Sequence, residues 1–277
     1  MRIIQANKPT ALFLVILCLS GAGCVHFSTP AERDASFSPY KVAKVGNESL
    51  RDYVTARSAV LLTGERLSVA LDTNSSQFYY TNAWRAGAAA IDSRGYFLTA
   101  AHCPMKGQVW LAFRQQGKMR LKTARIIWRG DEKRGEPDLA LLCVSCPITK
   151  TFQWALELTN GSAVVGVGLS KDHQLGVLKP QCMAGRISKV SRASSKGSSN
   201  YTQVTHSSPL CPGDSGGPLV RSDGRLVGIN VSLYVAFQWS HLSHEREYST
   251  AHRPDLAWLR NVIDTDAALF PIEISSP

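Results

Sequence analysis

From residue 58 to about residue 240 the chain repeats one pattern: short apolar runs parted by Gly, Pro, Asn, Asp and Ser. The runs fall at 58–62, 66–71, 87–91, 96–100, 108–113, 121–128, 138–144, 162–168, 182–190, 201–205, 217–220 and 225–234. Their brevity and their content of Val, Ile, Leu and aromatics predict strands rather than helices. Ser222-Asp223-Gly224, between two of them, predicts a tight hairpin. One helical pattern closes the series over about 255–264, with Leu256, Leu259 and Ile263 on one face and Asp255 placed to cap it. Residues 191–200 hold no apolar anchor and predict a loop. No internal repeat interrupts this, so the expectation is an antiparallel, all-β protein with a short C-terminal helix.

The beginning of the chain differs. Residues 1–23 have a basic start, an apolar run from Ala11 to Leu19 and a small-residue end. That run is too short to span a bilayer as a helix and predicts a secretory signal peptide. Residues 24–49 are polar and aperiodic, as expected of a tether. Residues 50–277 are then the folded domain.

Composition narrows the function classes. With 44% hydrophobic and 19% charged residues among 277, the chain is neither disordered nor fibrous. Its net charge of +10 would permit nucleic-acid or lipid contact. There is no dense basic run, zinc-finger spacing or aromatic RNA-binding signature, so no nucleic-acid partner is expected and the charge reads as a solvated surface.

Three motifs carry chemistry: Thr-Ala-Ala-His-Cys at residues 99–103, Asp-Leu-Ala-Leu-Leu at 138–142 and Gly-Asp-Ser-Gly-Gly-Pro at 213–218. A serine hydroxyl is a weak nucleophile near neutral pH and needs a base, which an imidazole supplies. A carboxylate can fix the imidazole tautomer and stabilise the imidazolium. His102, Asp138 and Ser215 are the candidates, and Asp131 and Asp223 are the other nearby carboxylates. In this order the motifs resemble those of the chymotrypsin-like (trypsin-fold) serine peptidases, and residues 87–100 look like the bacterial trypsin-like and Deg-type envelope proteases.

The resemblance implies two antiparallel β-barrels, over about 50–150 and 160–250, and a catalytic triad of His102, Asp138 and Ser215. It implies an oxyanion hole from the backbone N–H groups of Gly213 and Ser215, and a primary pocket floored near Pro209 and Leu210. A proline there disfavours cleavage after Arg or Lys and favours a small or apolar residue. The substrates implied are proteins or peptides, with no cofactor and no metal. The alternative is a catalytically silent binding module on the same fold.

Departures from the family pattern set further expectations. No Ile-Val-Gly-Gly activation segment is present, so Asp214 either finds another partner or stays solvated. The residues after Thr265 are too few for the PDZ domain that Deg-type proteases often carry. The stretch Leu19-Ser20-Gly21-Ala22-Gly23-Cys24 resembles a bacterial lipoprotein signal apart from Gly21. Cys24 would then carry lipid (palmitate among the acyl groups) and anchor the exported protein in the cell envelope. Ordinary cleavage nearby is the other reading. The remaining cysteines are Cys18, Cys103, Cys143, Cys146, Cys182 and Cys211, with no partner for Cys103 near Gly87. Export makes disulfides possible, and Cys182–Cys211 is the preferred bridge. Cys143 and Cys146 suit packed thiols or a local bridge better than zinc. His241, His244 and His252 are expected in a solvated polar loop rather than at a metal.

Overall fold

A computed structural model describes residues 44–72, 77–169, 180–194, 200–210, 213–236 and 246–271. The signal segment, Cys24, Cys211, His241 and His244 lie outside the described residues. The last part of the segment read as a tether is ordered: β1 (Lys44–Val45) and β2 (Glu48–Ser49) form a hairpin. Helix α1 (Leu50–Thr55) follows at once, because the Ser49 hydroxyl caps it by accepting the Asp52 N–H at 3.1 Å.

Each predicted apolar run is a strand. The first set is β3 (Ser58–Gly64), β4 (Ser68–Asp72), β5 (Gln77–Thr81), β6 (Trp84–Asp92), β7 (Tyr96–Thr99), β8 (Gln108–Gln115), β9 (Lys118–Arg129) and β10 (Ala140–Val144). Six of these close a barrel in the order β10-β7-β6-β3-β8-β9, and β4 with β5 forms a separate hairpin outside it. Strand β3 explains its unbroken apolar sequence by what covers its two faces. Ala59 and Leu61 point into the main core, while Val60 and Leu62 pack with Phe78 of the outer hairpin and Met119.

The second set is β11 (Ala163–Leu169), β12 (Pro180–Ala193), β13 (Tyr201–His206), β14 (Pro218–Arg221), β15 (Leu226–Ala236) and β16 (Arg246–Pro254). It closes a second barrel in the order β11-β12-β13-β16-β15-β14. The architecture is the expected one, two closed antiparallel barrels and a terminal helix. The hairpin at Ser222-Asp223-Gly224 forms, with Gly224 at φ +80° donating to Arg221 O at 2.9 Å. Strand β12 runs to Ala193, into the stretch read as a loop. Strands β5 and β16 were not predicted, and β16 places His252 in a sheet rather than in a polar loop.

Helix α2 (Leu256–Leu269) is capped by Asp255, whose Oδ1 accepts from Ala257 N and Trp258 N at 2.9 Å each. It outruns its predicted end because its C-terminal half is fastened to the first barrel. Arg125 grips Asp266 with two bonds of 2.6 and 2.8 Å, and Tyr96 donates its hydroxyl to the same carboxylate at 2.8 Å. Trp258 meets Trp128 edge-on, with ring centroids 4.7 Å apart.

The two barrels meet at glycines. A Cβ on Gly87 of β6 would lie 2.5 Å from Gly217 N, and one on Gly216 would lie 2.1 Å from Gly87 O. Backbone on both sides leaves nothing flexible to give way. Gly87→Ala is therefore expected to destabilise the fold by about 3 kcal/mol or more, at the upper end of overpacking costs, as read by urea denaturation.

Candidate active site

Each of the three motif residues sits where a strand has just ended or is about to begin. His102 lies in the turn after β7, held on both sides by Arg129, whose guanidinium donates to Ala101 O at 2.9 Å and Cys103 O at 3.3 Å. Asp138 precedes β10 and is buried. Its Oδ1 accepts the backbone N–H of His102 at 2.7 Å and its Oδ2 faces His102 Nδ1 at 2.6 Å. Both carboxylate oxygens thus serve one histidine, which leaves Nδ1 as the protonated nitrogen and Nε2 as the free base.

The other carboxylates are engaged elsewhere. Asp131 caps a 3-10 turn over Glu132–Arg134 by accepting Lys133 N–H at 3.0 Å. Asp223 pairs with Arg221 at 3.0 Å in the hairpin.

Ser215 belongs to the tight turn that leads into β14. Gly213 at φ +94° and Gly216 at φ +81° take left-handed conformations that side chains rarely adopt. The turn is bonded into the second barrel through Gly216 N–H to Asn230 O at 2.8 Å and Asn230 N–H to Gly217 O at 2.9 Å. It is bonded into the first barrel through Gly87 N–H to Ser215 O at 2.7 Å. Thr99, three residues before His102, donates its hydroxyl to Gly87 O at 2.7 Å, and a Cβ on Gly216 would lie 2.3 Å from that hydroxyl oxygen. The histidine turn and the serine turn therefore share one seam. The imidazole's hydrogen bond runs to Asp138, and none among the described residues joins it to the Ser215 hydroxyl. Catalytic hydrogen bonds are often long without substrate.

Electrostatics suit a base. Burial pulls the His102 pKa down, but the Asp138 carboxylate outweighs it and holds the value above the ordinary 6.5. Beside His102 lies a cavity of about 410 Å³ lined in part by Arg129, Glu132 and Lys133. Burial and the charge of Asp138 push the Glu132 carboxyl up.

Other sequence expectations find their places. Asp214 is not solvated: it is buried and partnered, and its Oδ1 lies 2.2 Å from where a Cβ on Gly168 would be. Leu210 is buried against Gly166 of β11, and Pro209 is half-buried. Cys103, Cys143, Cys146 and Cys182 are free thiols, so Cys143 and Cys146 pack rather than bridge. Cys211, the partner suggested for Cys182, lies outside the described residues. Burial pushes the Cys103 thiol up to about 12, with Asp138 adding to it.

The sequence reading gave no role to Arg129 or Thr99 and placed His252 in a solvated loop, whereas it is buried on β16. The signal available for Arg129 was a lone cation ending a strand, which is too common to single out.

Following the His102 imidazole by NMR should give a titration midpoint above 6.5, and Asp138→Asn should lower it. Because the folded value exceeds the unfolded one, this pair favours the fold fully below about pH 6.5. Its contribution is lost as pH rises through the folded value.

Comparison with known proteins places the chain. Residues 64–236 match the family model described as Trypsin. The serine protease Do-like HtrA of Bacillus subtilis (strain 168) is 35% identical over 98 residues, which are 34% of this chain and 22% of that protein. A variant of the HtrA-type protease AlgW with tripeptide superposes with a TM-score of 0.50 at 20% identity, over 81% of this chain and 63% of the other. AlgW itself with tripeptide gives 0.50 at 19% identity, over 80% and 62%. At such identities these structures speak for the fold, two barrels and a helix. The chain spans about a fifth of the curated relative's length and less than two thirds of the AlgW chains. A family model that covers more than half of its residues shows that the chain belongs to the trypsin family of serine proteases.

Proposed function

We propose that this chain is an exported serine endopeptidase that cleaves peptide bonds through His102, Asp138 and Ser215 and an acyl-enzyme intermediate. The observation that carries the reading is the double acceptance by Asp138, which binds both the backbone N–H and the ring Nδ1 of His102. A histidine so held presents Nε2 toward the cleft with one tautomer and one orientation.

The chemistry follows from that geometry. Ser215 Oγ attacks the scissile carbonyl carbon while His102 Nε2 takes its proton. The developing oxyanion is met by the N–H groups of Gly213 and Ser215. Gly213 suits this role because its φ of +94° is a backbone conformation that side chains rarely adopt. One such donor is worth about 10²–10³ in rate. The imidazolium, stabilised by Asp138, then gives its proton to the departing amine nitrogen as the C–N bond breaks, leaving the acyl group on Ser215. Water, deprotonated by the same Nε2, attacks the ester carbonyl, and the imidazolium returns that proton to Ser215 Oγ as the C–O bond breaks, freeing the acid and the serine. Pro209 and Leu210 near the base of the primary pocket support a small or apolar residue before the cleaved bond.

The basic, apolar, small-residue order of residues 1–23 supports export, and Cys24 at its end supports a lipid anchor in the envelope. Labelled fatty acid fed to producing cells should appear on the protein and be lost in Cys24→Ala. Equal label on both would remove the anchor.

A fluorophosphonate probe should label Ser215 and not Ser215→Ala. His102→Ala and Ser215→Ala should each lose at least about 10³-fold in kcat/KM on a peptide library. An unlabelled, inactive wild type would leave the binding-module reading. Because the base must be neutral, kcat/KM should rise with pH through the His102 value, above 6.5.

A further inference from the structure

His252 is the third histidine of a sequence cluster read as solvated, yet it is buried, on β16 of the second barrel. Its Nδ1 accepts the backbone N–H of Asp138, from the first barrel, at 3.0 Å. An Nδ1 that accepts carries no proton, so the ring is the neutral Nε2–H tautomer. Its surroundings keep it so: burial and the facing His102 lower its pKa to about 4, against the pull of Asp138. The Tyr201 ring of β13 covers it at 4.8 Å between centroids, and Ile229 is its apolar cross-strand neighbour on β15.

The bond does more than satisfy a buried amide. Asp138 can aim both carboxylate oxygens at His102 only if its own backbone is fixed, and His252 fixes it. The same histidine also lies on a strand whose neighbour is bonded to the serine turn. In the ladder of β15 and β16, Ile229 opposes His252 and Asn230 opposes Ala251. Asn230 in turn holds Gly216 and Gly217, the residues that follow Ser215. A short bonded path thus runs from the Asp138 amide through His252 and two strands to the serine turn. Gly87 to Ser215 is a second tie between the barrels at the same site.

We propose that His252 is a positioning residue for the reaction: by accepting the Asp138 amide proton at Nδ1, it sets the spacing between the His102–Asp138 pair and Ser215. The proposal rests on the serine-peptidase reading. It predicts that the acceptor must stand where Nδ1 stands and that an acceptor elsewhere on a side chain of similar size will not serve.

Three variants separate these roles. In His252→Asn the amide oxygen can take the place of Nδ1; in His252→Gln it reaches past it; in His252→Leu there is no acceptor. Steady-state peptide cleavage and the low-field proton resonance of His102 Nδ1–H should be measured on all three, with folding checked by circular dichroism. His252→Asn should stay within about threefold of wild type in kcat. His252→Gln and His252→Leu should lose about 30–100-fold in kcat, with KM changed less than about twofold, since a misplacement of about 1 Å can cost 10²-fold. The low-field resonance should shift or broaden in those two and persist in His252→Asn. If His252→Leu does not fold, the contrast of His252→Asn with His252→Gln still decides. Equal activity in wild type, His252→Gln and His252→Asn would overturn the proposal, as would equal loss in all folded variants. A wild type that neither cleaves peptides nor takes up a fluorophosphonate would instead overturn the serine-peptidase reading beneath it.

Discussion

The site exists because two backbones touch without side chains between them. Gly87 of the first barrel lies against Gly216 and Gly217 of the second, near enough that a methyl group on either side would collide with main chain. Closeness of this kind is what lets the Gly87 amide reach the carbonyl of Ser215 while Thr99 holds the Gly87 carbonyl. A packed interior transmits displacement rather than absorbing it. Widening the seam would therefore carry the Ser215 turn away from the His102 turn.

Around that seam the buried charge is held by hydrogen bonds. A buried carboxylate is costly unless its oxygens are bonded, and Asp138 gives one to the His102 amide and the other to its ring. Arg129 pins the backbone on either side of the histidine through two carbonyls. Cys103, which follows the histidine, is a free, buried thiol. A guanidinium fork with several donors can grip two carbonyls at once, so the clamp on the histidine turn is a charged hydrogen-bonding one.

Much of this was legible beforehand, for identifiable reasons. The strands were readable because their buried positions carry Val, Leu, Ile, Ala and Phe, and the three reactive residues because each lies within a motif whose neighbours shape its turn. Strand β16 was hidden because the positions it buries are Ser249, Thr250, Ala251, His252 and Arg253. Polar side chains become interior only when their partners arrive from elsewhere in the chain, and no local periodicity records that. His252 was misplaced for the same reason, since its bond to Asp138 spans 114 positions. Strand β5 was missed because only Phe78 of its five residues is fully buried and Gln77 and Thr81 flank its aromatics. The extra length of α2 goes with Asp266, an acid that meets Arg125 of the first barrel.

That last grip sets an order of events during synthesis. Helix α2 emerges after every strand of the second barrel, yet Trp258 and Asp266 dock on residues of the first. The earlier half cannot complete its outer surface until the latest-made segment returns to it. A growing polypeptide would thus keep the Trp128 and Arg125 face of its first barrel uncovered until the last helix is made.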